Sequence, residues 1–515
     1  MNRKLDIATL LLFTALLFGV IVRFYPGLTN GFPLNDGGMF YTMAQDLRAN
    51  HFALPELTTY NQSGIPFAYP PFGFYIAALL SALTPSSNLW VFLYIPALIN
   101  SLSILAFYLF AKELTGSRPI AATVTLFFAL TPLYFVWQVM GGGMTRAFGF
   151  LFMLLMMWQG LQLFRNYNLK HLLLSILFGA ISVMSHPQAA LQAVVIGVLL
   201  FLFYGRSKRG LLSAFLFGLG VAVLTSPWWL TVLTHHGITP FLSAGQTSPR
   251  QLDAYLELFS LNSLDDFLVL PLMLLAFVGL FSDGLPKLDK AFLVTWGVLA
   301  VLLDPRGAAG TVVLAFLPMA GYGLVKLSAW IQRMGSEQAE AVLSSRVSSS
   351  LTVLLVFFLL FGSIILDFQL VNSSLKAEDL DMIAWVEANV PNGKTFLLAT
   401  GREYSMSDPM QEWFPSLTGD QSLTTMQGLE WTLNDGFFTW YEQVSLFQTC
   451  ADVDCVQTWA ERNNVNYDYL VVLTPTEGSQ NNTADSLYKL KASAKDSNSF
   501  EMVYDSGYAA VFEKR

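Results

Sequence analysis

Residues 71–83 read PFGFYIAALLSAL, and whether they cross a membrane decides the topology of everything after them. A helix needs about 20 apolar residues to cross a hydrocarbon core of roughly 30 Å. These thirteen, entered through Pro70 and Pro71, are read as a re-entrant or interfacial segment. Eleven other apolar runs are read as spans: residues 5–22, 90–111, 120–137, 147–164, 171–184, 190–204, 211–230, 267–281, 291–303, 311–327 and 351–370. Lipid admits only helices and closed barrels, and these runs lack the alternation of barrel strands. The first has no small-residue cleavage site after it, so it is an anchor and not a secretory signal.

Loop charge tests the choice. With Arg3 and Lys4 inside, eleven spans place Lys112, Arg118, Arg165, Lys170, Arg206, Lys208, Arg209, Lys287, Lys290, Lys326, Arg333 and Arg346 on the same cytoplasmic side. Fourteen of the nineteen basic residues before position 371 are then cytoplasmic, as the positive-inside rule demands. A twelfth span at 71–83 would reverse every later loop. The expected fold is therefore an α-helical polytopic membrane protein of about eleven spans, with the N-terminus cytoplasmic. A long first outer loop at 23–88 and a shorter one at 231–266 follow, with a C-terminal extracytoplasmic domain.

Composition agrees. The 515 residues are 54% hydrophobic and 12% charged, against about 25% charged in soluble domains. Residues 1–370 carry a net +4 and residues 371–515 a net −12, which gives the total of −8. The clustered Lys and Arg that nucleic acid demands are missing, so nucleic acid is excluded as a partner. The partners expected are the lipid bilayer and whatever the outer face binds.

The outward polar residues begin with PLNDGGMFYTMAQDL at Pro33. Its Asp36 can serve as a base or cation ligand, or it can cap a helix over 38–49; the two roles are compatible. Downstream, IPFAYPPFGFY from Ile65 offers Tyr69 to a substrate or to an interfacial aromatic belt. Arg146 follows Gly141, Gly142 and Gly143 at an outer helix start, where an anion is favoured; the alternative is an Arg snorkelling to headgroups. His186 ends an apolar run in SHPQ, and Arg306 sits in DPRGAAG beside Asp304, with which it can pair. His235 and His236 are adjacent and diverge, so they make a poor metal pair. No GxxxxGK[ST], HExxH or GxSxG occurs, and the SSLK at Ser373 is a short chance pattern.

After position 370 the chain changes character. Asn372, Ser373 and Ser374 offer a cap to a helix that bears Leu380, Ile383, Ala384 and Val390 and stops at Pro391. TFLLA from Thr395, DYLVVL from Asp468 and YAAVF from Tyr508 read as buried strands, so residues 371–515 form a small α/β domain. Between the strands, residues 412–431 combine Trp413, Phe414 and Trp431 with Glu412, Asp420 and Glu430. The rings can stack on sugars or fill a core, and the carboxylates can accept hydroxyl protons. Cys450 and Cys455 are the only cysteines and lie on the oxidising side, which predicts a disulfide. Sequons at Asn61, Asn372 and Asn481 are expected to face outside.

An acid shortly after the first span, a long first outer loop, the Tyr69-Pro70-Pro71 segment, about eleven spans and a C-terminal outer domain together resemble the GT-C glycosyltransferase superfamily. That group includes protein O-mannosyltransferases, lipid A aminoarabinose transferases and oligosaccharyltransferase catalytic subunits. The resemblance implies Asp36 as the first-loop acid and a sugar on a polyprenyl phosphate or diphosphate as donor. Many members carry two neighbouring acids there, whereas Asn35, Gly37 and Gly38 flank a single one here. The resemblance thus fixes no cofactor and leaves a divalent metal ion, held by Asp36 if any, open. The chain also resembles bacterial multispanning proteins labelled as related to 6-pyruvoyl-tetrahydropterin synthase, but its five histidines do not resemble that enzyme's zinc site.

The function expected is a glycosyltransferase at the cell membrane, inverting and using a lipid-phosphate sugar donor, acting on a glycan, lipid or protein acceptor. Asp36 would be catalytic, Arg146 and Arg306 would bind the donor phosphate, and Tyr69, His186, Glu412 and Glu430 would touch substrate. Two other classes compete: a transporter or flippase of lipid-linked saccharides, which would place ionisable groups near the midplane, and a noncatalytic glycan-recognising subunit.

Overall fold

The computed structural model describes residues 6–84, 88–246, 263–333, 339–402, 404–433, 436–474 and 484–515. Arg3, Lys4 and the sequon at Asn481 lie outside the described residues, as does the side chain of Arg306.

Each of the eleven expected spans is helical. They are α1 (Ile7–Asn30), α4 (Leu89–Thr115), α5 (Arg118–Leu130), α7 (Gly143–Asn166), α8 (Leu169–Val183), α9 (Pro187–Tyr204), α10 (Lys208–His236), α12 (Leu264–Leu280), α13 (Lys287–Leu303), α14 (Ala308–Gln332) and α16 (Arg346–Asn372). Among the described residues, seven helices are long and apolar enough to cross a membrane. The remaining apolar ones fall short by a turn or so, and the protein is an integral membrane protein. Between them lie α2 (Gly38–Ala49), α3 (Phe72–Leu83), α6 (Val136–Val139), α11 (Thr239–Gln246) and α15 (Ala339–Leu343). The opening stretch is α3, a helix of twelve residues packed on α2 and α7.

The two boundaries that differ most do so for identifiable reasons. Helix α1 continues past residue 22 to Asn30, because its apolar face goes on to bury Val22, Arg23 and Pro26 until Gly31 ends it in a left-handed cap at φ 72°. Arg23 is thus an internal helix residue and not part of the first loop. The expected span at 120–137 stops at Leu130, because Pro132 supplies no N–H, and the chain resumes at 83° to its former direction.

The C-terminal part opens with α17 (Ala377–Asn389), begun by the Asp379 carboxylate on the Lys376 N–H (2.8 Å) and not by Asn372–Ser374. Then come β1 (Thr395–Ala399), α18 (Pro409–Thr418), β2 (Gln421–Ser422), α19 (Phe437–Phe447), α20 (Val453–Arg462), β3 (Tyr469–Leu473), α21 (Ala484–Asp496), β4 (Phe500–Asp505) and β5 (Ala509–Lys514). The sheet order is β2-β1-β3-β5-β4, with β1 parallel to β2 and β3, and β5 antiparallel to β3 and β4. Strand alternation sorts its two faces. Leu397, Ala399, Leu470 and Val472 pack under α19–α21, near the Cys450–Cys455 disulfide. Phe396, Leu398, Tyr469 and Val471 join a second core, shared with α17, α18, α2, α3 and the starts of α4 and α7. That shared core seats the C-terminal domain on the first loop.

Candidate active site

The first loop turns sharply after Leu34. Asn35 has φ 51° and Gly37 φ 122°, so Asp36 is presented between two residues in the left-handed region. Partners distant in sequence hold this turn. The Asn35 N–H donates to Ser374 Oγ (3.0 Å), Trp413 Nε1 donates to the Asn35 carbonyl (2.8 Å), and the Gly141 N–H donates to the Leu34 carbonyl (2.9 Å).

Asp36 does not cap α2. The residue at the cap position is Gly37, and its N–H donates to Glu412 Oε1 at 2.7 Å. The Glu412 side chain, carried on α18, therefore does the capping expected of Asp36. Burial, then the charge of Asp36, pushes the Glu412 carboxyl up to about 8, against the pull of the Gly37 N–H and Arg146.

With the cap supplied by Glu412, the Asp36 carboxylate faces Arg146 in the first turn of α7. Arg146 donates from Nη1 to Oδ2 (2.8 Å) and from Nη2 to Oδ1 (2.9 Å), and the Gly142 N–H reaches Oδ1 at 2.9 Å. Arg146 Nε donates to the Trp137 carbonyl (2.8 Å), and its guanidinium lies 5.6 Å from the Trp137 ring centroid. Both members of the pair keep some exposure, 17% for Arg146 and 20% for Asp36, so an outside group can reach them. The glycines are explained here: a Cβ on Gly141 would fall 2.1 Å from the Asp36 carbonyl oxygen, and one on Gly142 would fall 2.7 Å from Asp36 Oδ2.

Tyr69 lies within electrostatic reach of both charges. Its hydroxyl is 3.5 Å from Thr145 Oγ1, and burial pushes it up to about 12, so it stays protonated. Its ring contacts Phe40 (4.8 Å), Trp431 (6.1 Å) and His186 (6.3 Å). Glu430 accepts from Trp431 Nε1 (3.0 Å) at this aromatic margin. Asp36, Arg146, Glu412, Tyr69, His186 and Glu430 are thereby gathered at one end of the bundle. Arg306 has its backbone in the short turn Pro305–Gly307, where Asp304 accepts from Gln188 Nε2 (2.7 Å).

Other candidates fall to structural roles. Asp420 accepts the Gly393 and Lys394 N–H groups (2.8 and 3.1 Å). Trp413 and Phe414 are fully buried core residues. Asn61 is buried, with its side chain paired to the main chain of Ser422, so its amide is engaged within the fold. His235 and His236 end α10, their rings 6.0 Å apart. Among the described residues no three His, Cys, Asp or Glu side chains form a metal-binding group. The residues beside Asp36 fit such an ion poorly, since both carboxylate oxygens already accept from Arg146 and Gly142.

The family model described as dolichyl-phosphate-mannose-protein mannosyltransferase matches residues 68–230, which include α3 and Arg146. Solved structures resemble nearly the whole chain. For apo ArnT from Cupriavidus metallidurans the TM-score is 0.59 at 12% identity, covering 98% of this chain and 97% of that one. The chain has the GT-C fold. The same GT-C neighbour bound to undecaprenyl phosphate gives a TM-score of 0.57 at 13% identity, with coverage of 98% and 97%. The Archaeoglobus fulgidus oligosaccharyltransferase, crystallised with Zn and sulfate, gives 0.55 at 13% identity, covering 90% of this chain and 67% of that one. For the arabinofuranosyltransferase AftD from Mycobacteria the values are 0.58 and 15%, and this chain spans only 40% of that protein's length. No curated protein matches the chain by sequence.

Proposed function

We propose that this GT-C protein transfers a sugar from a polyprenyl-phosphate-linked donor to an acceptor hydroxyl at the extracytoplasmic face of the membrane. The observation that carries the reading is the Asp36–Arg146 fork, a carboxylate and a guanidinium held on each other at the start of α7. The family match to a dolichyl-phosphate-mannose mannosyltransferase and the likeness to a protein crystallised with undecaprenyl phosphate support the donor class. The same orientation places residues 371–515 outside and the N-terminus in the cytoplasm.

In this reading the donor phosphate competes with Asp36 for Arg146, aided by the positive end of α7. Released from its partner, the Asp36 carboxylate is free to take the proton of the acceptor hydroxyl. The acceptor oxygen forms its bond to the anomeric carbon as the bond to the phosphate oxygen breaks. The phosphate leaves with that electron pair, stabilised by Arg146, and one displacement inverts the anomeric centre. Tyr69 and Trp431 offer an aromatic wall for the sugar, and the Tyr69 hydroxyl, His186 and Glu430 offer polar contacts.

The test is incubation of purified protein with a panel of polyprenyl-linked sugars, reading released polyprenyl phosphate. Release that requires an acceptor is expected; no release from any donor would sink the reading. Orientation is tested separately, since a cysteine introduced at Ser207 should react with an impermeant reagent only from the cytoplasmic side.

A further inference from the structure

One charged cluster inside the bundle has no part in the reaction just described. Arg23 on α1 and Asp367 on α16 are fully buried, and Asp367 is the carboxylate that acts electrostatically on Arg23. Ionisable groups at membrane depth are costly, so their contacts should reveal what offsets the cost. Both lie within about two turns of the helix ends that carry the site, which sets them apart from a transporter's midplane site.

The contacts lead to the break in α5. Pro132 ends that helix and strips its last carbonyls of helical donors. Side chains from three other helices bond carbonyls on the two sides of the break. Arg23 Nη1 donates to the Ala129 carbonyl (2.7 Å), Ser363 Oγ of α16 to the Leu130 carbonyl (2.7 Å), and Asn100 Nδ2 of α4 to the Tyr134 carbonyl (2.9 Å). Arg23 Nε in turn donates to Asn100 Oδ1 (2.6 Å), and the guanidinium lies 5.2 Å from the Phe135 ring centroid. Past the break, the same segment supplies the Trp137 carbonyl to Arg146 and the Gly142 N–H to Asp36.

We propose that Arg23 is a positioning residue for the phosphate site: by fixing the broken helix it sets where residues 137–142 hold Arg146 and Asp36. The role in phosphate binding rests on the function proposed above, but the role in fixing the segment does not.

The experiment is amide hydrogen exchange, read by mass spectrometry on the purified full-length protein without substrate, paired with binding of undecaprenyl phosphate. In Arg23→Met, exchange across residues 133–142 should quicken at least tenfold while α12–α14 keep wild-type protection. Undecaprenyl phosphate should bind about tenfold more weakly, and Arg23→Lys should recover part of both effects, because an ammonium can still reach a carbonyl. Should Arg23→Met fail to fold, Asn100→Ala removes both the donor to the Tyr134 carbonyl and the acceptor of Arg23 Nε, and should quicken exchange in the same segment. Unchanged protection at 133–142, or uniform quickening across all helices, overturns the proposal. Wild-type protein that transfers no sugar would sink the function and leave the exchange result standing.

Discussion

Asp36→Asn is the most informative single change, and the structure alters what it should do. Had Asp36 capped α2, Asn would have served nearly as well. The cap comes instead from Glu412, and Asp36 accepts three donors, two from Arg146 and one from Gly142. Asn keeps one acceptor oxygen and turns its amide group, a donor, toward the other arm of the fork. A charge-assisted bond contributes about 1.5–3 kcal/mol and an exposed pair under about 1 kcal/mol, so a loss of about 1–3 kcal/mol in stability is expected for this partly exposed pair. The turn itself should survive, because Ser374, Trp413 and Glu412 hold only its backbone. Removing the base should slow transfer by roughly 100-fold to 10,000-fold, or about 2.7–5.4 kcal/mol of barrier. Donor affinity should hold or rise, since Arg146 is released. The assay is single-turnover transfer together with binding of undecaprenyl phosphate, on protein checked by thermal unfolding. A near wild-type transfer rate would refute the assignment of Asp36 as base.

The other substitutions separate the remaining roles. Arg146→Ala should weaken binding of undecaprenyl phosphate by about 10-fold to 100-fold, and unchanged affinity measured by calorimetry would move the phosphate elsewhere. Glu412→Gln keeps the oxygen that caps α2 and removes the titration. Because the Glu412 carboxyl is raised to about 8 in the fold, its contribution is full below its ordinary pKa and lost as pH rises through 8. Wild-type melting temperature should therefore fall more than the variant's between pH 6 and pH 9, and parallel falls would contradict this. Gly142→Ala should cost the fold little, as Gly142 has an ordinary φ of −66°. Its Cβ would nonetheless sit 2.7 Å from Asp36 Oδ2 and 2.9 Å from Arg146 Nη1, so transfer should drop at least tenfold, and an unchanged rate would show that the fork is not used as built.

The parts legible in the sequence are those that periodicity and charge record locally. Apolar runs, loop charge and the TFLLA, YLVVL and YAAVF strands each carry their own signal within a few residues. Arg146 was legible because three glycines precede it; the closeness of Asp36 is the reason for Gly141 and Gly142, and the Gln138 carbonyl is the reason for Gly143. The Asp36–Arg146 pairing was not, since 110 residues separate the two and nothing local reports a contact across space. Strand β4 was missed because FEMVYD alternates too weakly, with only Phe500 fully buried. The break at Pro132 was written in the sequence and overridden by apolarity: a run-length reading counts 120–137 as one span whatever Pro132 does to the ladder.

The lone first-loop acid acquires its meaning from the C-terminal domain. Where the resembled family often sets two acids side by side, a second carboxyl group arrives here from position 412, on a helix seated against the same turn. Trp413, its neighbour, holds the Asn35 carbonyl, and Ser374, just past the last span, holds the Asn35 N–H. Phe32 and Tyr41 bury their rings against Trp413, and the Tyr60 hydroxyl donates to the Glu412 carbonyl (2.9 Å). Without residues 371–515, three backbone groups flanking Asp36 would lose their partners, at roughly 1–3 kcal/mol for each one left buried and unpaired. Asn35 and Gly37 would then be free to leave the left-handed conformations that aim the carboxylate at Arg146. The membrane bundle supplies the guanidinium and the domain supplies the aim, so the site exists only where the two meet.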